Sequence, residues 1–166
     1  MRRVYAYVAY RIGDGPDAED ITSDTIERAL RYRDSYDASK GEPMAWLVAI
    51  ARRSIGEFFA RSVELDVETV EVVADGDIEV DTVRRLILAQ AMSRLSDRER
   101  ELVALRYGAD LTARRIGEVL GIETHAVEVA LQRALGRLKT ALGAPSAHEI
   151  GVRAVMPVRI GPSGPV

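Results

Sequence analysis

The sequence predicts an all-α chain: two small helical domains joined by an acidic linker, the second of them a helix-turn-helix domain. Three observations lead there. Aromatic residues make up only 5% of the 166 residues, while Ala, Leu, Arg and Glu, all good helix formers, are abundant. Apolar residues recur at helical spacing between Gly and Pro punctuation. Charge is also segmented. Residues 63–90 hold two basic and eight acidic side chains, a net of −6, whereas residues 1–62 balance and residues 91–142 carry +2. An acidic stretch therefore separates two helical units.

In the first unit, Val4, Tyr5, Val8 and Ile12 form a short apolar face that stops at Gly13-Asp14-Gly15-Pro16. Asp17 is placed to cap a second helix, continued by Ala18, Ile21, Thr25, Ile26 and Ala29. Its outer side is acidic, with Asp20, Asp24 and Glu27, and the plainer reading is a solvated face whose first-turn acids complement the helix dipole. A polar loop, Arg33 to Glu42, leads to Pro43 at a helix start. Trp46, Leu47, Ile50 and Phe58 then recur at helical spacing among Arg52, Arg53 and Arg61, and Trp46 alone reads as core. Asp75-Gly76-Asp77 lies in a stretch without helical period, so residues 63–82 read as linker. Val83, Leu86, Ile87 and Met92 open the second unit.

That second unit is the more specific. Ser96-Asp97-Arg98-Glu99 is a capping box, followed by an apolar stripe of Leu102, Val103 and Leu105 and a stop at Gly108. Thr112 caps the next helix, in which Ile116, Val119 and Leu120 share a face before Gly121-Ile122 turns the chain. Along the last helix Val127, Leu131, Ala134, Leu138 and Leu142 form one face, with His125, Glu128, Gln132, Arg133 and Gly136 toward the other. Such an outward face is what a recognition helix lays into the major groove.

Composition removes several alternatives. Without cysteine there is neither a disulfide nor a thiolate metal site. No apolar run nears the roughly 18 residues of a membrane span, and no signal-peptide core is present, so a soluble cytoplasmic protein without membrane contact is the default. A formal charge of −3 argues against a general nucleic-acid coat. An enzyme fares poorly: only His125 and His148 are available, with no phosphate loop and no metal-ligand cluster, so no catalytic residue, metal or cofactor is expected.

Taken together the residues resemble the extracytoplasmic-function group of bacterial sigma factors, the subunits that direct RNA polymerase to promoters. The first unit matches at Gly13-Asp14, Asp17-Ala18-Glu19-Asp20-Ile21-Thr22, Asp24-Thr25 and Pro43-Met44-Ala45-Trp46-Leu47 into Ile50-Ala51-Arg52. The second matches at Leu95-Ser96-Asp97-Arg98-Glu99-Arg100, Leu105-Arg106-Tyr107, Ile116-Gly117-Glu118-Val119-Leu120-Gly121-Ile122, and along Val127, Leu131, Arg133-Ala134 and Arg137-Leu138-Lys139. The resemblance implies a region 2-like domain at residues 1–62, which binds polymerase and the −10 element. It also implies a region 4-like domain at 83–142, which binds the −35 element. The tail at 143–166, rich in Pro and Gly with an apolar middle from Val152 to Ile160, lies outside it.

By the same resemblance, Asp17, Glu19, Asp20, Asp24 and Glu27 face bacterial core RNA polymerase. Tyr36, Asp37, Ser39 and Lys40 line the pocket for an extruded base, Arg52, Arg53 and Arg61 hold phosphates, and Trp46 either joins this −10 surface or is structural. Thr112, Thr124, His125, Glu128, Gln132, Arg133 and Arg137 approach the upstream promoter DNA. An anti-sigma factor is a further partner that the family admits. Two departures stand out. Family members carry more helix before the position of Arg3, so the match begins late. Where the recognition helix usually continues with Lys, Ser and Arg, this chain has Glu128, Val129 and Ala130, and a carboxylate there opposes phosphates. A sigma-like protein acting mainly through protein contacts, with weakened DNA binding, is therefore the alternative. The two domains are expected to move independently until polymerase binds, with protease cleavage between Val63 and Asp81.

Overall fold

The computed structural model describes residues 1–39, 41–64 and 80–143. Among them the chain is helical, in the order α1 (Arg2–Ile12), α2 (Pro16–Arg31), a short 3₁₀ turn (Arg33–Ser35), α3 (Pro43–Glu64), α4 (Val80–Ser93), α5 (Asp97–Val103), a widened π turn (Ala104–Gly108), α6 (Ala113–Leu120) and α7 (Thr124–Gly143). Asp75-Gly76-Asp77 and the tail from residue 144 lie outside the described residues. Of the linker expected over 63–82, residues 63–64 belong to α3 and 80–82 to α4, and the rest lies outside the described residues.

Helix α1 buries Val4, Tyr7 and Val8, one stripe at i, i+3 and i+4. Tyr7, which turns toward the second unit, lies at the centre of that stripe, and the expected Tyr5 and Ile12 pack against it partly buried. Helix α2 starts at Pro16 with Gly15 as its cap, not at Asp17: proline has no N–H to satisfy and its fixed φ suits the first helical position. Along α4, Val83 and Leu86 are exposed, while Ala91 and Met92, and Leu95 just beyond the helix, are buried. The stripe that packs is the one facing Ala134 and Leu138 of α7.

The two units do not stand apart. A single apolar core runs from Val4, Tyr7, Val8, Ile21, Val48 and Ile55 into Leu102, Leu105, Leu111, Ile116 and Val127. This differs from the independent domains expected above, and the physical reason is the π turn. Helix α5 was expected to continue to Gly108, but the Ala109 N–H reaches back to the Ala104 carbonyl at 2.9 Å and the Leu111 N–H to Leu105 at 3.0 Å. The widened turn presses the Gly108 backbone onto α1, so that a Cβ there would lie 2.7 Å from the N and Cα of Tyr7. Only glycine permits that approach. The Arg3 guanidinium closes the end of the turn by donating to the Ala109 carbonyl at 2.9 Å and to the Asp110 carbonyl at 3.1 Å.

Candidate nucleic-acid interface

The helix-turn-helix is built much as its local signals require. Ser96 Oγ accepts from the Glu99 N–H while the Ser96 N–H donates to Glu99 Oε2 at 3.0 Å, a closed capping box on α5. Thr112 Oγ1 accepts from the Arg115 N–H and caps α6. Gly121 ends α6 in the left-handed region at φ +66°, which glycine adopts without strain, and the Ile122 N–H returns to the Gly117 carbonyl at 3.0 Å. Helix α7 then buries Val127, Leu131 and Ala134. Thr124, His125, Glu128, Gln132, Arg133 and Gly136 are left exposed on its other side.

Two of the expected upstream-DNA residues are engaged within the chain. The hydroxyl of Thr112 serves as the cap of α6. Arg137 pairs with Glu99 at 3.0 Å, so the capping carboxylate also ties α5 to α7. His125 and Glu128, one turn apart, approach to 3.9 Å at the exposed start of α7.

In the first unit, Asp17, Glu19 and Asp20 are exposed on α2. Glu27 is exposed too but pairs with Arg31 at 2.6 Å. Asp24 departs from the expected solvent-facing role: it is half-buried and accepts from Ser54 Oγ at 2.8 Å and Arg28 Nε at 3.0 Å. Arg28 continues to Glu57 through two hydrogen bonds, of 3.1 and 2.7 Å. Asp24 thus belongs to the α2–α3 seam, because its side chain points along the helix toward Arg28 and Ser54 rather than outward.

The loop before α3 forms a small aromatic cup. Tyr36 donates to the Gly41 carbonyl at 3.0 Å, and its ring meets the half-buried Trp46 ring at 5.4 Å between centroids, tilted by 52°. Asp37 Oδ1 accepts from both the N–H and the hydroxyl of Ser39, which fixes the loop. Lys40 lies outside the described residues. At roughly 100° per residue, Arg53 sits two turns along α3 on the side of Trp46, and Arg61 lies further on, near that side. Arg52 points about 120° away, toward the second unit.

At that junction lies a cluster the sequence reading missed. Glu101 of α5 is buried, accepts from the Tyr7 hydroxyl at 2.9 Å, and pairs with Arg11 at 2.9 Å and Arg52 at 3.2 Å. Arg52 also reaches the Val119 carbonyl at 3.5 Å. Burial, and then the charge and hydrogen bond of Glu101, hold the Tyr7 hydroxyl protonated far above its ordinary range. No local pattern could have disclosed these contacts, since Glu101 lies about ninety positions from Tyr7.

The ion pairs carry a pH dependence of definite sign. Hydrogen bonds from Arg28 lower Glu57, the Ser96 backbone N–H lowers Glu99, and Arg115 lowers Glu118, each from 4.5. The folded chain thus binds fewer protons than the unfolded one just below that value. Their contribution is complete above pH 4.5 and is lost as the pH falls through the folded values. Tyr7 acts at the other end: its raised pKa contributes fully below about pH 10, and that contribution declines as the pH rises further. Urea midpoints followed by circular dichroism should decline on both sides of a broad plateau. Tyr7→Phe should flatten the alkaline decline and leave the acid limb in place.

Comparison with known proteins gives concordant matches. The model of Sigma-70 region 2 matches residues 1–63 and that of Sigma-70, region 4 matches residues 91–140. The ECF RNA polymerase sigma factor BldN of Streptomyces coelicolor is 32% identical over 143 residues, covering 81% of this chain and 54% of that protein. The chain therefore spans about half the length of that relative. The ECF RNA polymerase sigma factor SigK of a Mycobacterium species (strain KMS) is 30% identical, covering 85% of this chain and 78% of that one. Among solved structures, the sigma factor RpoE in complex with the anti-sigma factor NepR, from Bartonella quintana, has the same fold. Its TM-score is 0.69 at 22% identity, over 86% of this chain and 91% of that one.

Proposed function

Because the chain belongs to the extracytoplasmic-function RNA polymerase sigma factors, specificity subunits rather than enzymes, we propose that it directs a bacterial core RNA polymerase to promoters through three separate surfaces. The observation that carries this reading is α7, which seals Val127, Leu131 and Ala134 in the core and leaves Thr124, His125, Glu128, Gln132 and Arg133 exposed toward a major groove. On α2, Asp17, Glu19 and Asp20 form the acidic surface that docks on polymerase. The Tyr36–Trp46 cup and its fixed loop receive an extruded base, whose stacking offsets the cost of unpairing, while Arg53 and Arg61 hold backbone phosphates. The site of action is the cytoplasm. A protein regulator, of the kind seen with the Bartonella quintana protein, is the third partner.

Run-off transcription with core polymerase, with and without the chain, tests the reading directly: initiation at a selected promoter should require it. Asp20→Ala should weaken co-purification with polymerase by about 2–5 kcal/mol if its pair is desolvated there, without lowering thermal stability. Asp24→Ala is the wrong probe, since it also breaks the α2–α3 seam. A reading in which the second unit works mainly through protein contacts is favoured by Glu128, exposed at 61% beside His125. Glu128→Lys separates the two. If α7 enters the groove, the substitution tightens duplex binding and steepens its salt dependence by a slope of about 0.9. An unchanged slope favours protein contacts.

A further inference from the structure

Within α3, Gly56 has no steric reason to be glycine: the backbone is helical and a Cβ there would meet nothing within 4 Å. In a helix interior glycine lowers stability relative to alanine. What it opens is space. Gly56 lies between Arg52 and Phe59 at i, i+4 and i+7, one stripe of the helix. The three line a cleft of about 330 Å³ together with Arg11 of α1 and Glu101 of α5. The ring of Phe59 is half-exposed and is met edge-on by Phe58 at 5.6 Å between centroids. On the polar side, Glu101 meets the Nε edge of Arg11 at 2.9 Å and of Arg52 at 3.2 Å, and accepts from the Tyr7 hydroxyl. Among the described residues Arg11 and Arg52 have no other carboxylate partner, so a positive charge is left over. Arg53 also lines the cleft and shares Glu57 with Arg28. Each guanidinium carries five N–H donors, and the chain engages only part of them. Arg11 Nη1 donates to the Asp97 carbonyl at 3.2 Å and Arg52 Nη1 to the Val119 carbonyl at 3.5 Å, while Arg11 Nε makes no hydrogen bond.

We propose that this cleft binds a mononucleotide, with its phosphate on the outer N–H groups of Arg11 and Arg52 and its base in the space over Gly56 against the Phe59 ring. Guanidinium forks match phosphate oxygens in pairs, and an aromatic face stacks on any base. Glu101 is then a positioning residue: it holds both guanidiniums from the side of the core, and the Tyr7 hydroxyl holds Glu101. The volume is at the low end for a ligand site and suits one ring and one phosphate rather than a strand. The ligand enters over Gly56, so the apolar core shared by the two units stays intact. Arg11 and Arg52 come from the first unit and Glu101 from the second, so occupancy stabilises the joined arrangement by mass action. The site needs neither polymerase nor promoter and goes beyond the promoter-binding reading.

The full chain is titrated by calorimetry with adenosine 5′-monophosphate, adenosine and inorganic phosphate, and urea midpoints are measured with and without each. The mononucleotide should bind at least about tenfold more tightly than either fragment, because ring and phosphate are held at once. It should also raise the urea midpoint as its concentration rises. Gly56→Leu fills the space over α3 without changing charge, and helical content should be unchanged because that space is empty. Its affinity for the mononucleotide should fall on the order of tenfold, the loss expected when a base is kept from its aromatic platform. Phe59→Leu should weaken the mononucleotide by a similar factor and leave inorganic phosphate unchanged, which keeps the test open if the first variant folds poorly. Four results would each overturn the proposal: adenosine binding as tightly as the mononucleotide; phosphate binding as tightly, which means an adventitious ion only; undiminished binding by both variants; or no binding at about 1 mM, a weak affinity even for a small site. Neither assay contains polymerase or promoter, so failure here and failure of the sigma reading are seen separately.

Discussion

Truncating Leu105 to alanine is expected to cost about 2–5 kcal/mol, the range for large-to-small changes at sites that cannot collapse. Leu105 is fully buried and belongs to the core that joins both units. A domain of this size is stable by only about 5–15 kcal/mol, so the variant sits close to its unfolding midpoint under mild conditions. The result to examine is the shape of the transition. Val8, also fully buried, lies in the first unit, and its truncation should shift the same single urea transition as Leu105→Ala. Two transitions, each moved by only one of the variants, would mean that the units fold separately and that their shared core contributes little.

Placing leucine at Gly117 should abolish the duplex binding proposed for the second unit. Gly117 is buried in α6, and a Cβ there would lie 2.6 Å from the Ile122 carbonyl oxygen, a backbone atom in the turn that leads to α7. Helix propensity alone would favour replacing this glycine by about 0.5–1 kcal/mol. Forcing side-chain atoms against a packed backbone costs typically about 1–3 kcal/mol, and the larger side chain takes the effect to the upper end. The turn must move, and α7 moves with it, carrying Thr124, His125 and Gln132 away from the duplex face proposed for them. Duplex binding should fall by at least about tenfold, since hydrogen bonds weaken steeply outside about 2.7–3.2 Å. Gly56→Ala gives the opposite sign: nothing lies within 4 Å of a Cβ there, so it should stabilise α3 by about 0.5–1 kcal/mol. Thermal melts and duplex anisotropy on the three proteins separate the steric effect from the loss of glycine itself.

Much of the helix-turn-helix was legible because its signals are local. The Ser96–Glu99 box, the Thr112 cap, the Gly121 stop and the apolar stripe of α7 each involve residues within a turn or two of one another, and each forms as expected. The acidic surface of α2 was legible only in part. Asp17, Glu19 and Asp20 stand in solvent, but periodicity alone could not tell that Asp24 turns into the seam with Ser54 and Arg28. Tyr36 and Trp46 were each named, but the contact between their rings was not legible, since ten positions and an irregular loop separate them.

What the sequence determined by itself, then, was the helices and the caps of the helix-turn-helix, since hydrogen bonding within one turn and the 3.6-residue period decide these. What only the tertiary structure decided was how the units meet. Widening the helix at Ala104–Gly108 rotates the following backbone onto α1, and that brings Tyr7, Arg11 and Arg52 around Glu101. The choice between an α and a π turn rests on packing against a helix about a hundred residues earlier. No window of the sequence contains both sides of that contact.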